Sequence, residues 1–154
     1  MKKIIVLVVV SILFYACASK NIIKQKEETL KGNWFLKEIT SSKTGEYNIT
    51  FFNDVSKYCL EGSTWKFVTN NYTGSYAINK TSCDNSINEF IFTIQTVDES
   101  QKVFDLLMKP KENNDANVGY RYSLKMLDEN KMQLQKKVVV DGVPFLMNLN
   151  FNRL

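Results

Sequence analysis

The chain has 154 residues, 44% of them hydrophobic and 23% charged, with a formal net charge of +4, which suits one domain with a core of its own. The basic residues are scattered through the sequence, so no nucleic-acid partner is expected. Histidine is absent, and the six glycines form no G-x-G-x-x-G or P-loop pattern. The commonest general base, the imidazole metal ligand and the usual phosphate cradle are therefore missing, and no catalytic residue, metal or cofactor is expected.

Taken in chain order, Lys2 and Lys3 precede an apolar run from Ile4 to Phe14, followed by Tyr15-Ala16-Cys17. That run is too short to span a membrane, which takes about 20 residues as a helix, so residues 1–16 read as a cleaved export signal. The segment resembles a bacterial lipobox, which implies that Cys17 becomes an acylated N-terminus (a palmitate-type anchor). Two or more acyl chains hold a protein on a membrane stably. Ala18 to Glu28 reads as a polar tether, placing residues 17–29 between anchor and domain. Ala18, Ser19 and Lys20 put no acid directly after the cysteine, so an outer-membrane location facing the periplasm is expected rather than the cell surface. With Cys17 lipidated, Cys59 and Cys83 remain as a pair in an oxidising compartment. A structural disulfide is expected there, worth about 3–4 kcal/mol on the loop-entropy model.

From residue 30 to 154 the chain reads as short strands. Trp34 to Ile39 is the first and Tyr47 to Phe52 a short additional piece. Asp54 to Leu60 reads as one helical turn capped by Asp54. Thr64 to Thr69 puts Trp65 and Phe67 on one face; Tyr72 to Asn79 does the same with Tyr76 and Ile78, and Glu89 to Val97 with Phe90, Phe92 and Ile94. Val103 to Met108 is closed by Pro110, and Lys111 to Asn117 is a polar loop. Tyr120 to Leu127 aligns Tyr122, Leu124 and Met126; Lys131 to Val140 aligns Met132, Leu134 and Val138. Asp141-Gly142 is a hairpin signal, leading into Val143 to Arg153, where Phe145, Met147, Leu149 and Phe151 alternate with Leu146 and asparagines. Alternation at period two buries one face and wets the other. About eight such strands joined by short connections predict an all-β, up-and-down antiparallel barrel, whose closure removes exposed edges.

The G-x-W of Gly32-Asn33-Trp34 opens the first strand of this meander. Together with Cys59-Leu60, Ser63 to Phe67, Tyr72 to Tyr76, Cys83 and Lys131 to Leu134, it resembles a group of bacterial lipocalin-like lipoprotein domains. The resemblance implies an eight-stranded barrel over residues 30–154, with Arg153 packed over Trp34 to close its base. It also implies carriage of a small hydrophobic ligand by a monomer, with Trp65, Phe67, Tyr76, Phe90, Phe92, Tyr122, Met126, Met132, Phe145 and Met147 as candidate lining. A barrel of this size either fills itself with side chains or holds one small ligand, and both demand the same inward pattern. The alternative function is an envelope accessory or inhibitor acting through the outer surface of a filled barrel. For an enzyme, Asp98, Glu99, Asp105, Asp128 and Glu129 are available acids, but they read as solvated turn residues.

Overall fold

The computed structural model describes residues 22–43, 50–52, 55–111, 119–140 and 142–154. The expected signal (1–16), Cys17, Asp54, Asp141 and residues 112–117 of the polar loop lie outside them. The described elements are α1 (22–30), β1 (Gly32–Ser41), β2 (Thr50–Phe51), β3 (Val55–Ser56), α2 (Lys57–Leu60), β4 (Thr64–Val68), β5 (Thr73–Ala77), β6 (Ile87–Asp98), β7 (Val103–Pro110), β8 (Tyr120–Leu127), β9 (Lys131–Val140) and β10 (Val143–Arg153). Strands β4 to β10 pair in sequence order, and β1 sits between β10 and β4. Every pairing is antiparallel, so the result is the closed eight-stranded up-and-down barrel that the alternation predicted. β2 and β3 form a separate small hairpin.

Inward positions follow period two along most strands. Trp65 and Phe67 of β4, Phe90, Phe92 and Ile94 of β6, Phe104, Leu106 and Met108 of β7, and Phe145, Met147, Leu149 and Phe151 of β10 are all buried. Full burial of each such side chain contributes roughly 1.5–3 kcal/mol. Gly74 of β5 belongs to the same series, and its missing side chain is needed: a Cβ there would lie 2.3 Å from Cζ of Phe90 and 2.7 Å from the Lys66 carbonyl oxygen. The Phe90 ring occupies the space that any other residue at 74 would fill.

The register shifts at three places, one of them in β6 against β7 between Thr96 and Asp98. In β1 the register with β10 shifts between Leu36 and Glu38, so the buried residues run Trp34, Leu36, Ile39. In β8 it shifts against β9 between Leu124 and Met126. An extra residue on one strand reverses the facing of the residues beyond it. Met126, expected inside, is therefore 41% exposed, and Leu127 packs against the core instead.

The segment expected as a polar tether differs from residue 22 onward. Residues 22–30 are helical, with Leu30 buried and Ile22 and Ile23 packed against the core. The three apolar side chains fall on one helical face because residues seven and eight apart align. Asp54 is not needed as the cap of α2: Ser56 takes that place, its hydroxyl accepting from the Cys59 amide at 3.3 Å. Asp105 is no turn residue either. It lies buried in β7 and accepts from Arg121 Nη1 at 2.9 Å.

Candidate functional site

The antiparallel order gives the barrel two unlike ends. The base collects the start of β1, the end of β10, the turns after β4, β6 and β8, and α1. Arg153 organises it: Nε donates to the Glu129 carbonyl at 2.7 Å, Nη1 to Lys31 at 2.9 Å and Nη2 to Thr29 at 2.8 Å. Its guanidinium carbon lies 4.5 Å from the Trp34 ring centroid, a cation–π contact of about 0.5–2 kcal/mol. Trp34 Nε1 donates to the Leu30 carbonyl at 2.8 Å, and Tyr72 Oη donates to Glu27 Oε1 at 2.9 Å, tying α1 to the β4–β5 turn. Gly32 takes φ +122°, and a Cβ there would meet Arg153 Nη1 at 3.0 Å. Among the described residues, no buried side-chain polar atom at this end lacks a partner.

The mouth collects the opposite strand ends and the described part of the β1–β4 connection, of which Phe51 and Phe52 pack inward as a lid. The β2–β3 hairpin pairs Phe51 with Val55, and both Phe51 and Phe52 are buried in the barrel's core. Phe52 has φ +34°, a conformation that costs a bulky residue about 1–3 kcal/mol unless its surroundings hold it. They do: its ring centroid lies 5.4 Å from Trp65, 5.5 Å from Tyr76, 4.9 Å from Tyr120 and 5.7 Å from Tyr122. The lid is moored by Glu61, whose carboxylate accepts from the Ile39 amide at 2.7 Å beyond the point where β1 leaves β4. It is moored again by the Cys59–Cys83 disulfide, with Cα atoms 5.8 Å apart, joining α2 to the β5–β6 connection.

Of the candidate lining residues, all but Met126 are buried, and the rings are packed on one another. Trp65 stacks on Tyr76 at 4.8 Å and meets Phe151 edge-on at 5.5 Å; Phe67 meets Phe90 at 5.5 Å and Phe92 at 5.4 Å. Two clefts lie at the mouth rim, and a more open one of about 480 Å³ lies at the base around Arg153 and Glu129. One cleft of about 350 Å³ is bounded by Phe52, Tyr76, Asp84, Ile87, Phe90 and Pro110, among others. A second, of about 360 Å³, is bounded by Phe52, Val55, Cys59, Ile78, Cys83 and Asp84, among others. They share Phe52, Asp84, Ser86 and Asn88, so the two clefts adjoin at Phe52.

Polar groups inside the mouth are less well served. Tyr122 is fully buried and its hydroxyl has no hydrogen-bond partner among the described residues, an omission that costs about 1–3 kcal/mol. Burial, then the nearby Tyr120 and Tyr76 phenols, push its pKa well above 10. Tyr76 is pushed up to about 12, by burial first and Tyr120 second. Lys136 shares the inward parity of Met132 and Leu134 on β9, and its Nζ lies 5.8 Å from the ring centroid of Phe51, 5.0 Å from Tyr120 and 5.9 Å from Tyr122. Burial holds its pKa below the usual lysine value. The acids that form ion pairs among the described residues, Glu38, Glu61, Glu89 and Asp105, do so with Lys37, Lys57, Lys111 and Arg121.

The sequence pattern assigns no role to Phe51, Phe52 or Lys136. For Lys136 a signal exists, since residues 132, 134, 136 and 138 share one parity. For the two phenylalanines there is none, because Phe51 ends a strand of two residues and Phe52 lies in the turn after it. Among the described residues, no three of Cys, Asp and Glu converge as metal ligands.

No protein-family model matches the chain, and no curated protein matches it. Among solved structures the chain is similar to a lipocalin-like protein from Bacteroides uniformis, 14% identical, with a TM-score of 0.43, over 82% of this chain and 99% of that one.

Proposed function

We propose that the chain is a membrane-anchored binding module without catalytic activity. In this reading lipid on Cys17 holds it in the outer membrane facing the periplasm, and the mouth half of the barrel takes up a small hydrophobic molecule when Phe52 withdraws. One observation carries the binding reading: Phe52 borders both rim clefts on one side and touches four interior rings on the other. Phe52, on a loop and in a costly backbone conformation, lies between these clefts and the aromatic interior.

Titration with the neutral apolar dye N-phenyl-1-naphthylamine tests it. Removing the plug by Phe52→Ala is expected to tighten dye binding roughly tenfold, equivalent to about 1.4 kcal/mol. The close packing of the interior rings favours a second reading, a filled barrel that serves an envelope partner through its outer surface. A folded Phe52→Ala variant that binds no dye selects that reading and sinks the first.

A further inference from the structure

We infer that the molecule received in the mouth is an amphiphile with an anionic oxygen head group, held by Lys136 Nζ and Tyr122 Oη. This rests on the binding reading above and specifies its ligand class. The argument starts from the chemistry of the two groups. An ammonium only donates hydrogen bonds, and a phenol at neutral pH donates readily. Tyr122 Oη is wholly buried and has no partner among the described residues. Lys136 faces inward from β9, on the same parity as Met132 and Leu134, and its Nζ sits over ring faces. No carboxylate among the described residues lies within ion-pair distance of it.

The wall therefore presents a positive charge and an unused donor, both directed toward the same ring cluster and neither matched by an acceptor among the described residues. An acidic oxygen group satisfies both at once; a neutral apolar molecule satisfies neither, and a cationic one adds repulsion. Lys136 Nζ lies 5.8 Å from the Phe51 ring centroid and the Phe52 ring stacks 5.7 Å from that of Tyr122, so the two lid side chains border both donor residues. Withdrawal of the hairpin vacates the volume of two benzyl groups beside them. The apolar remainder of the wall, Trp65 and Tyr76, is left for the ligand's chain.

The experiment compares decanoate, decanol and decyltrimethylammonium as competitors of the dye, at pH 7, on the full chain carrying Cys17→Ser. Decanoate is expected to bind roughly tenfold tighter than decanol or more, and the cation weakest. Lys136→Met is expected to bring decanoate down to parity with decanol while leaving decanol unchanged; Lys136→Arg is expected to keep the preference. Tyr122→Phe is expected to weaken decanoate severalfold and decanol not at all. Equal binding of decanoate and decanol by the unsubstituted mouth, or an unchanged ratio in Lys136→Met, overturns the head-group assignment while the binding reading stands. Failure of every competitor and of the dye overturns both.

Discussion

At the base of the barrel one arginine donates to three backbone carbonyls and covers an indole, whereas at the mouth two phenylalanines from a two-residue strand and its turn fill the opening. The base is closed by directional bonds between groups that match. The mouth is moored at its edge by Glu61 and the disulfide but filled by apolar contact, which has no preferred direction. Beneath it lie a phenol and a lysine that find neither acceptor nor counter-ion among the described residues. Directional closure fixes one geometry. Apolar closure gives way when another apolar body takes the same space, and the proposed uptake of a ligand rests on this.

That contrast can be broken at either end. The largest effect is expected at the mouth, where Cys59→Ser frees a loop closed across 24 residues and should lower stability by about 3–4 kcal/mol on the loop-entropy model. Urea unfolding under non-reducing conditions checks this, and an unchanged midpoint would mean that the lid is held without the bridge. Next comes Arg153→Ala, which strands the carbonyls of Thr29, Lys31 and Glu129 and should cost about 2–3 kcal/mol, since bonds to a charged donor are worth about 1.5–3 each but do not add. Dye binding at the mouth should not change in this variant; if it does, the two ends are coupled.

The smallest effects are those of pH, and they have opposite addresses. At the base, Asp128 accepts from the Asn130 and Lys131 amides, and Asp98 from Ser100 Oγ and the Gln101 amide, which hold both carboxyls below the ordinary 3.8. Their stabilisation is complete above about pH 4 and is lost as pH falls through the depressed values. At the mouth, Tyr76 ionises in the unfolded chain near pH 10 but only near 12 when folded, so stability falls as pH rises from 10 to 12. Lys136 works the other way: its lowered pKa makes burial of the charge a cost at neutral pH, relieved as pH rises toward 10.5. Tyr76→Phe should therefore delay alkaline unfolding and leave the acid limb unmoved. A shift of the acid limb instead would show that Tyr76 is coupled to the carboxylates.

The sequence by itself determined the strands and most of their inward faces. Alternation is a local property of extended backbone, and Trp65, Phe67, Phe90, Phe92, Phe145 and Met147 could be placed by counting. The juxtaposition of Trp34 and Arg153 was legible too, because antiparallel closure brings the first residue of one strand beside the last of another. What required the tertiary structure was everything set by one segment's fit to a distant one. The bulge that turns Met126 outward exists only relative to β9. The helix at 22–30 forms against a core that the same residues do not supply. The lid reaches the barrel axis because the closed ring leaves an aromatic-lined opening of the size that Phe51 and Phe52 fill. Lys136 lies between these cases: its parity was readable, but the rings that surround it come from β8 and the lid, and only their assembly turns an ordinary lysine into a charge held against aromatic faces inside a barrel.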